Sequence, residues 1–204
     1  MKPPTCLFAI VWLCASCGAS YPPVRLTEDW PATIRDYGGV VQEWTRRAEL
    51  RADYQEVCEL VATFKSPDWR ASHAMHDAEI RGLTGDAREQ YLTQSRAEVA
   101  GPFELEVMVT TWDRRENDLD RGKKSVWRVV LIDEKGQEIE PLEIVKDRRP
   151  AFVVRAEFPA LGEFATPYIA RFPRTSEVLG PTAKRVRLRM SNPRGGLEVV
   201  WQAP

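Results

Sequence analysis

His73 and His76 are the only two histidines in the chain. Three-residue spacing puts both imidazoles on one side of a helix, where they can share a metal ion with Asp77 or Glu79 nearby. A zinc centre takes three or four ligands in fixed geometry. This stretch carries neither the His-Glu-x-x-His pattern of a metalloprotease helix nor a cysteine pair. Trp69, His73, His76, Ile80 and Leu83 also fall along one helical stripe, which predicts imidazoles bordering a contact between helix and sheet. No metal or other cofactor is therefore assigned, and His73 and His76 are kept as the metal candidates of an alternative, a metal-dependent hydrolase. Nucleophilic chemistry finds less. There is no Gly-x-Ser-x-Gly turn. Cys58 and a histidine can in principle form a dyad, but Cys58 stands in an apolar run with nothing near it to lower a thiol pKa, so a buried strand position is expected. With 30 acidic residues, paired carboxylates are unavoidable and identify no glycosidase. No glycine loop is placed to cradle phosphate. No catalytic residue is assigned.

Arg185, Arg187 and Arg189 alternate with Val186, Leu188 and Met190. On a strand the three guanidinium groups share one face, a cationic stripe about 13 Å long at ~3.3 Å per residue. Such a stripe can meet lipid phosphate, an anionic glycan or an acidic partner. The competing expectation is a solvated face balanced by acids such as Glu157 or Glu198. Trp112 beside a charged loop is a candidate contact residue if exposed. The formal net charge of −1 gives no bias toward nucleic acid or anionic membranes, and nucleic acid is not an expected partner.

The first residues read as an export leader. Lys2 precedes an apolar run over 6–13, far short of the ~20 residues that span a bilayer. Cys14-Ala15-Ser16-Cys17-Gly18 follows, and small residues before Cys17 suit a peptidase that rejects bulk. This resembles the lipobox of bacterial lipoproteins, although Cys14 stands where Leu is usual and Leu13 comes one place early. In that family the cysteine thiol receives a diacylglyceryl group, the chain is cut just before it, and the new amine is acylated. The resemblance implies Cys17 as the lipid site and a firm anchor, at ~0.8 kcal/mol per buried CH₂. Gly18 after the cysteine implies the outer membrane. Cys6 and Cys14 would leave with the leader and Cys17 would carry lipid, so Cys58 would have no disulfide partner. Plain secretion with cleavage near Ala19 is the alternative.

The elements that must hold these residues follow from periodicity. Residues 20–29, with Pro22 and Pro23, read as an extended tether. Tyr37-Gly38-Gly39 reads as a turn, and Val40, Gln42, Trp44 and the residues after them as a strand; a second strand covers 56–64, and residues between Ala48 and Asp53 can extend either strand or form a helical turn. Ser66-Pro67-Asp68 starts a helix: a hydroxyl cap, proline at the first position and an acid at the positive dipole end. It runs to about Arg81, and a second helix capped by Thr84 and Asp86 runs to about Val99. From Phe103 the period becomes two, giving a strand with one dry face. Residues 113–124 read as an exposed, mobile loop. Further strands are expected over 126–133, 138–145, 152–158, 168–172, 185–190 and 197–201. Many short strands between turns predict a mainly β protein, an antiparallel β-sandwich of immunoglobulin-like shape with an inserted α-helical pair. The expected layout is a signal peptide over 1–16, the lipidated cysteine and tether over 17–36, and a β domain over 37–204 with the helical insertion at about 67–100.

Ala62-Thr63-Phe64-Lys65-Ser66-Pro67, Tyr168-Ile169-Ala170-Arg171-Phe172-Pro173 and the closing Leu-Glu-Val-Val-Trp strand, together with the lipobox-like start, resemble lipoproteins of myxobacteria and related Gram-negative bacteria. The resemblance implies an envelope β domain and carries no activity. The expectation is a membrane-anchored, non-enzymatic binding or scaffolding lipoprotein of the bacterial envelope, in the outer membrane and facing the periplasm or cell surface. Its partners are the membrane, through lipid, and another envelope protein or glycan. The alternatives are the envelope hydrolase and a plainly secreted binding protein. Solute-binding lipoproteins are usually longer and α/β.

Overall fold

Strand alternation in the computed structural model, which describes residues 21–52 and 55–204, builds a mainly β architecture of two antiparallel sheets. The expected leader and the expected lipid site Cys17 lie outside the described residues. The five-stranded sheet contains β1 (Thr45–Ala52), β2 (Gln55–Phe64), β3 (Phe103–Thr111), β6 (Glu143–Lys146) and β7 (Thr166–Phe172), in the order β1-β2-β3-β7-β6. The four-stranded sheet contains β4 (Arg128–Ile132), β5 (Glu138–Ile139), β8 (Arg185–Asn192) and β9 (Gly195–Gln202), in the order β5-β4-β8-β9.

Register explains the core. Ala62 pairs with Val107 and Val107 with Tyr168; Phe64 pairs with Leu105 and Leu105 with Ala170. Leu131 pairs with Leu188 and Leu188 with Val199. Both rows belong to one buried cluster that also holds Trp44 and Trp201. At one edge the two sheets are tied together: buried Trp201 donates through Nε1 to the Trp44 carbonyl at 2.8 Å. Beside it, buried Arg46 donates to the carbonyls of Val200 at 2.8 Å and Pro22 at 3.0 Å.

The centre of the second face of the five-stranded sheet is buried as well. Glu106 and Met108, on the polar side of the β3 alternation, are fully buried. The cover consists of α1 (Tyr37–Trp44), α2 (Pro67–Ile80) and α4 (Ala151–Glu157); α3 (Gly85–Ala97) lies against α2 and buries no residue. Among the described residues no helix is long and apolar enough to cross a membrane.

Five local expectations are corrected. Residues 40–44 form part of helix α1, not a strand: the Asp36 side chain caps Gly39 N–H, and Tyr37, Val40, Val41 and Trp44 are the buried stripe at helical spacing. Residues 152–158 are mostly helix α4, opened by Pro150 and pinned by Val154 and Phe158. The expected strand over 138–145 is two strands in different sheets, because Pro141 has no N–H for a ladder and the chain crosses there. Residues 113–124 are largely exposed, as expected, but are built from 3₁₀ turns (Arg114–Glu116 and Leu119–Lys124) and anchored; Asp118 and Leu119 are buried, and Ser125 Oγ donates to Asp118 at 2.8 Å. The extended stretch from Tyr21 does not hang free: Val24 and Leu26 are buried, Val24 N–H donates to Gln202 O, and Gly180 N–H donates to Leu26 O, both at 2.8 Å.

Candidate functional site

The chemistry-bearing side chains converge under the helical cover. β2 runs into α2 without a loop. The Ser66 hydroxyl accepts from Trp69 N–H at 3.1 Å, which starts the helix and fixes Lys65 at the junction. Register places Glu104 and Glu106 of β3 on the same sheet face as Thr63. Lys65 Nζ then lies 2.8 Å from Glu104 Oε1 and 3.2 Å from Glu106 Oε2. It also lies 5.7 Å from the Trp69 ring centre and 5.4 Å from that of Phe158. Trp69 and Phe158 stack at 5.6 Å, nearly parallel.

One cation serves two carboxylates, and their surroundings separate them. Burial pushes Glu104 upward, but Lys65 and Arg171, whose Nε donates at 2.9 Å, outweigh it and hold this carboxyl at about 2. Burial pushes Glu106 up to about 7; Lys65 offsets this only in part, and the nearby Asp147 charge adds to it. Neither Glu106 oxygen accepts a hydrogen bond. Beside this group, Arg149 makes a fork to Asp147 (Nε to Oδ1 3.1 Å, Nη2 to Oδ2 2.6 Å) and also binds Glu157. Burial acts to raise the Asp147 pKa, and the Arg149 hydrogen bonds overcome it and lower it.

The two histidines have different surroundings. His73 Nε2 is 3.2 Å from Glu157 Oε1, and its ring stacks on Trp69 at 4.8 Å. Burial lowers its pKa, with Glu157 opposing. His76 is exposed and stacks on Tyr37 at 5.1 Å. Tyr37 also meets His73 edge-on at 5.5 Å and donates its hydroxyl to the Glu157 carbonyl. The expected stripe is thus buried at Trp69 and half-buried at His73 and Leu83; His76 and Ile80 are exposed, and Ala71, Ala74 and Ala78 are buried instead. Among the described residues no three or more His, Cys, Asp or Glu side chains are grouped as a metal set.

Arg185, Arg187 and Arg189 line the outer face of the four-stranded sheet. Arg187 lies 3.4 Å and Arg189 3.9 Å from Glu198, the acid across the β8–β9 ladder. Their neighbours Val130 and Ile132 are buried on that same face, as expected where arginine stems lie along apolar surface. Glu157, the other expected balancing acid, belongs to the helical side. Trp112 is 77% exposed at the end of β3. Cys58 is buried in β2, and burial pushes its thiol up to about 12. A groove of about 880 Å³ opens at the edge opposite the Trp44–Trp201 seam, lined by Leu119, Trp127, Pro141 and Leu142 among others. None of the buried ionic residues lines it.

Sequence reasoning missed Lys65, Glu106, Asp147, Arg149 and Glu157. The available signal was joint: an acid in the β3 alternation, and a helix whose aromatic stripe had to cover something. The lipidation candidate Cys17 lies outside the described residues. A scan against models of known protein families, and searches of curated proteins and of solved structures, find no match to this chain.

Proposed function

We propose that this chain is a membrane-anchored lipoprotein of the bacterial envelope whose folded part is a non-enzymatic binding or scaffolding module. The finer fold assignment, a β-sandwich of immunoglobulin-like shape, belongs to the same proposal and is supported by two antiparallel sheets sharing one core. The observation that carries the anchor is the early docking of the chain. Cys17 precedes Tyr21 by four residues, and Val24 and Leu26 are already in the core. Four residues reach at most ~14 Å. A lipid on Cys17 would therefore hold the domain against the bilayer rather than on a long stalk. The non-enzymatic reading is supported by the ionic residues at the helical cover, which are engaged with each other and do not line the groove of about 880 Å³.

The test is a mass spectrum of the amino-terminal peptide from protein purified out of envelope membranes, followed by capture of partners with a Cys17→Ala control. A diacylglyceryl-modified Cys17 as the first residue supports the proposal; an unmodified start downstream of it supports plain secretion. A hydrolase acting through His73 keeps one observation in its favour, the carboxylate of Glu157 at 3.2 Å from the imidazole.

A further inference from the structure

Helix α4 leaves much of its apolar surface exposed. Ala151, Phe152, Val153 and Ala156 all face solvent, and only Val154 is fully buried within it. Phe152 is 74% exposed and Phe164, in the connection to β7, is 70% exposed. Two open phenylalanines in one short stretch are a costly surface unless something covers them. Arg148 just before the helix and Arg155 in its last turn are exposed and make no ion pair among the described residues, whereas Arg149 is engaged with Asp147 and Glu157. Glu163, beside Phe164, is the one exposed acid in the stretch.

Position selects the occupant. α4 covers the same face of the five-stranded sheet on which the chain emerges from its amino-terminal segment. A groove of about 300 Å³ is lined by Tyr21, Gly38 and Val41 on one side and by Pro159 and Ala160, directly after α4, on the other. Tyr21 is fixed there, its hydroxyl accepting from Arg47 N–H at 2.9 Å. Tyr21, the first described residue, thus lies next to the α4 connection.

We propose that α4 and the Phe164 loop form a lipid-contact face: Phe152 and Phe164 enter the interfacial layer of the bilayer, and Arg148 and Arg155 pair with anionic headgroup phosphates. This rests on the anchored-lipoprotein reading, because the short distance from Cys17 to Tyr21 brings this face to the membrane. The bilayer is a second contact of the same protein, additional to its lipid, and fixes which way the opposite groove and the arginine face point.

The experiment uses full-length protein, processed in the cell and reconstituted into vesicles of phosphatidylethanolamine with phosphatidylglycerol. Phe152→Cys, Phe164→Cys and, as control, Glu134→Cys in the β4–β5 turn are each labelled with a polarity-sensitive dye; buried Cys58 stays unlabelled in the folded protein. The proposal expects blue-shifted emission and strong quenching by lipid-borne quenchers at 152 and 164 but not at 134. It also expects weaker quenching after Arg148→Glu with Arg155→Glu. Equal emission at all three sites overturns it. A mass spectrum of the same preparation reports Cys17 separately. If Cys17 proves unmodified, the anchoring reading fails, and the free chain mixed with the same vesicles decides the lipid face: a shift at 152 and 164 sustains it and none overturns it.

Discussion

Lys65 Nζ stands 3.2 Å from Glu106 Oε2, yet this fully buried carboxylate accepts no hydrogen bond. The same ammonium is closer to Glu104, at 2.8 Å, and Glu104 has Arg171 as well. The pair therefore divides unequally. Glu104 stays ionised far into acid, while Glu106 is held at about 7. A buried ion pair of this kind is weak support for stability, since desolvation of the charges offsets their attraction.

Replacing Glu106 with Gln tests this balance. A carboxyl whose folded pKa exceeds its ordinary 4.5 binds protons more readily in the folded state. The native protein then gains stability as pH falls from above 7 toward 4.5, and carries the full penalty above 7. Glu106→Gln removes the penalty and leaves Lys65 with Glu104. It is expected to raise stability at pH 8 by roughly 1–3 kcal/mol and to give little or no gain at pH 5. Urea midpoints at the two values measure this. An equal effect at both would place the Glu106 titration outside this range.

His73 acts in the opposite sense. Burial depresses its pKa below the ordinary 6.5, so the folded state favours the neutral ring. Its contribution is complete above the unfolded value and is lost as pH falls through the folded one. His73→Gln should therefore flatten the loss of stability on acidification, whereas Glu106→Gln should steepen it. Alanine at both histidines separates the functional readings. A binding module keeps partner capture after His73→Ala and His76→Ala if it remains folded, whereas a metal-dependent hydrolase loses both metal content and turnover.

The sequence made the strands legible where alternation was clean, as in β3, β8 and β9, and made α2 legible through Ser66, Pro67 and Asp68. It misled where two signals competed. Tyr37, Val40, Val41 and Trp44 carry a helical spacing, but Gly38-Gly39 reads as a turn and the paired valines as a strand; the Asp36 cap and burial on one side decide for helix. Phe152-Val153-Val154 has strand composition, yet the segment lies between Pro150 and Pro159 and pairs with no strand. The ionic cluster was the least legible feature. Glu106 looks like a solvent-facing residue of an alternating strand, and only the α2–α4 cover turns that face inward. Long-range packing of that kind leaves no mark in local periodicity.

Cys58 offers a clean probe of global stability. Its thiol is buried and held protonated, and β2 is hydrogen-bonded on both sides, to β1 and β3. Alkylation should need opening of the sheet. Labelling of Cys58 by a thiol reagent is expected to track the unfolded population across a urea titration and to coincide with the fluorescence transition. Fast labelling in native buffer would contradict its burial.

Arg46 is the most exacting position in the seam between the sheets. Its guanidinium is buried among backbone carbonyls: Nε donates to Val200, one terminal nitrogen to Glu43 and Thr45, and the other to Pro22. Burial lowers its pKa to about 10, which leaves it charged at neutral pH. It thereby joins β1, β9 and the amino-terminal segment through donors that no other residue type supplies in this fork geometry. Arg46→Leu strands several carbonyls without partners and should destabilise by roughly 2–4 kcal/mol. Arg46→Lys, with a single point of charge, should recover only part of this. Hydrogen exchange distinguishes a local from a global effect. The Val24 amide, which donates to Gln202 beside the seam, should lose protection before the β3 amides in both variants. Uniform loss across both sheets would mean instead that Arg46 supports the whole core and not the docking of the amino-terminal segment.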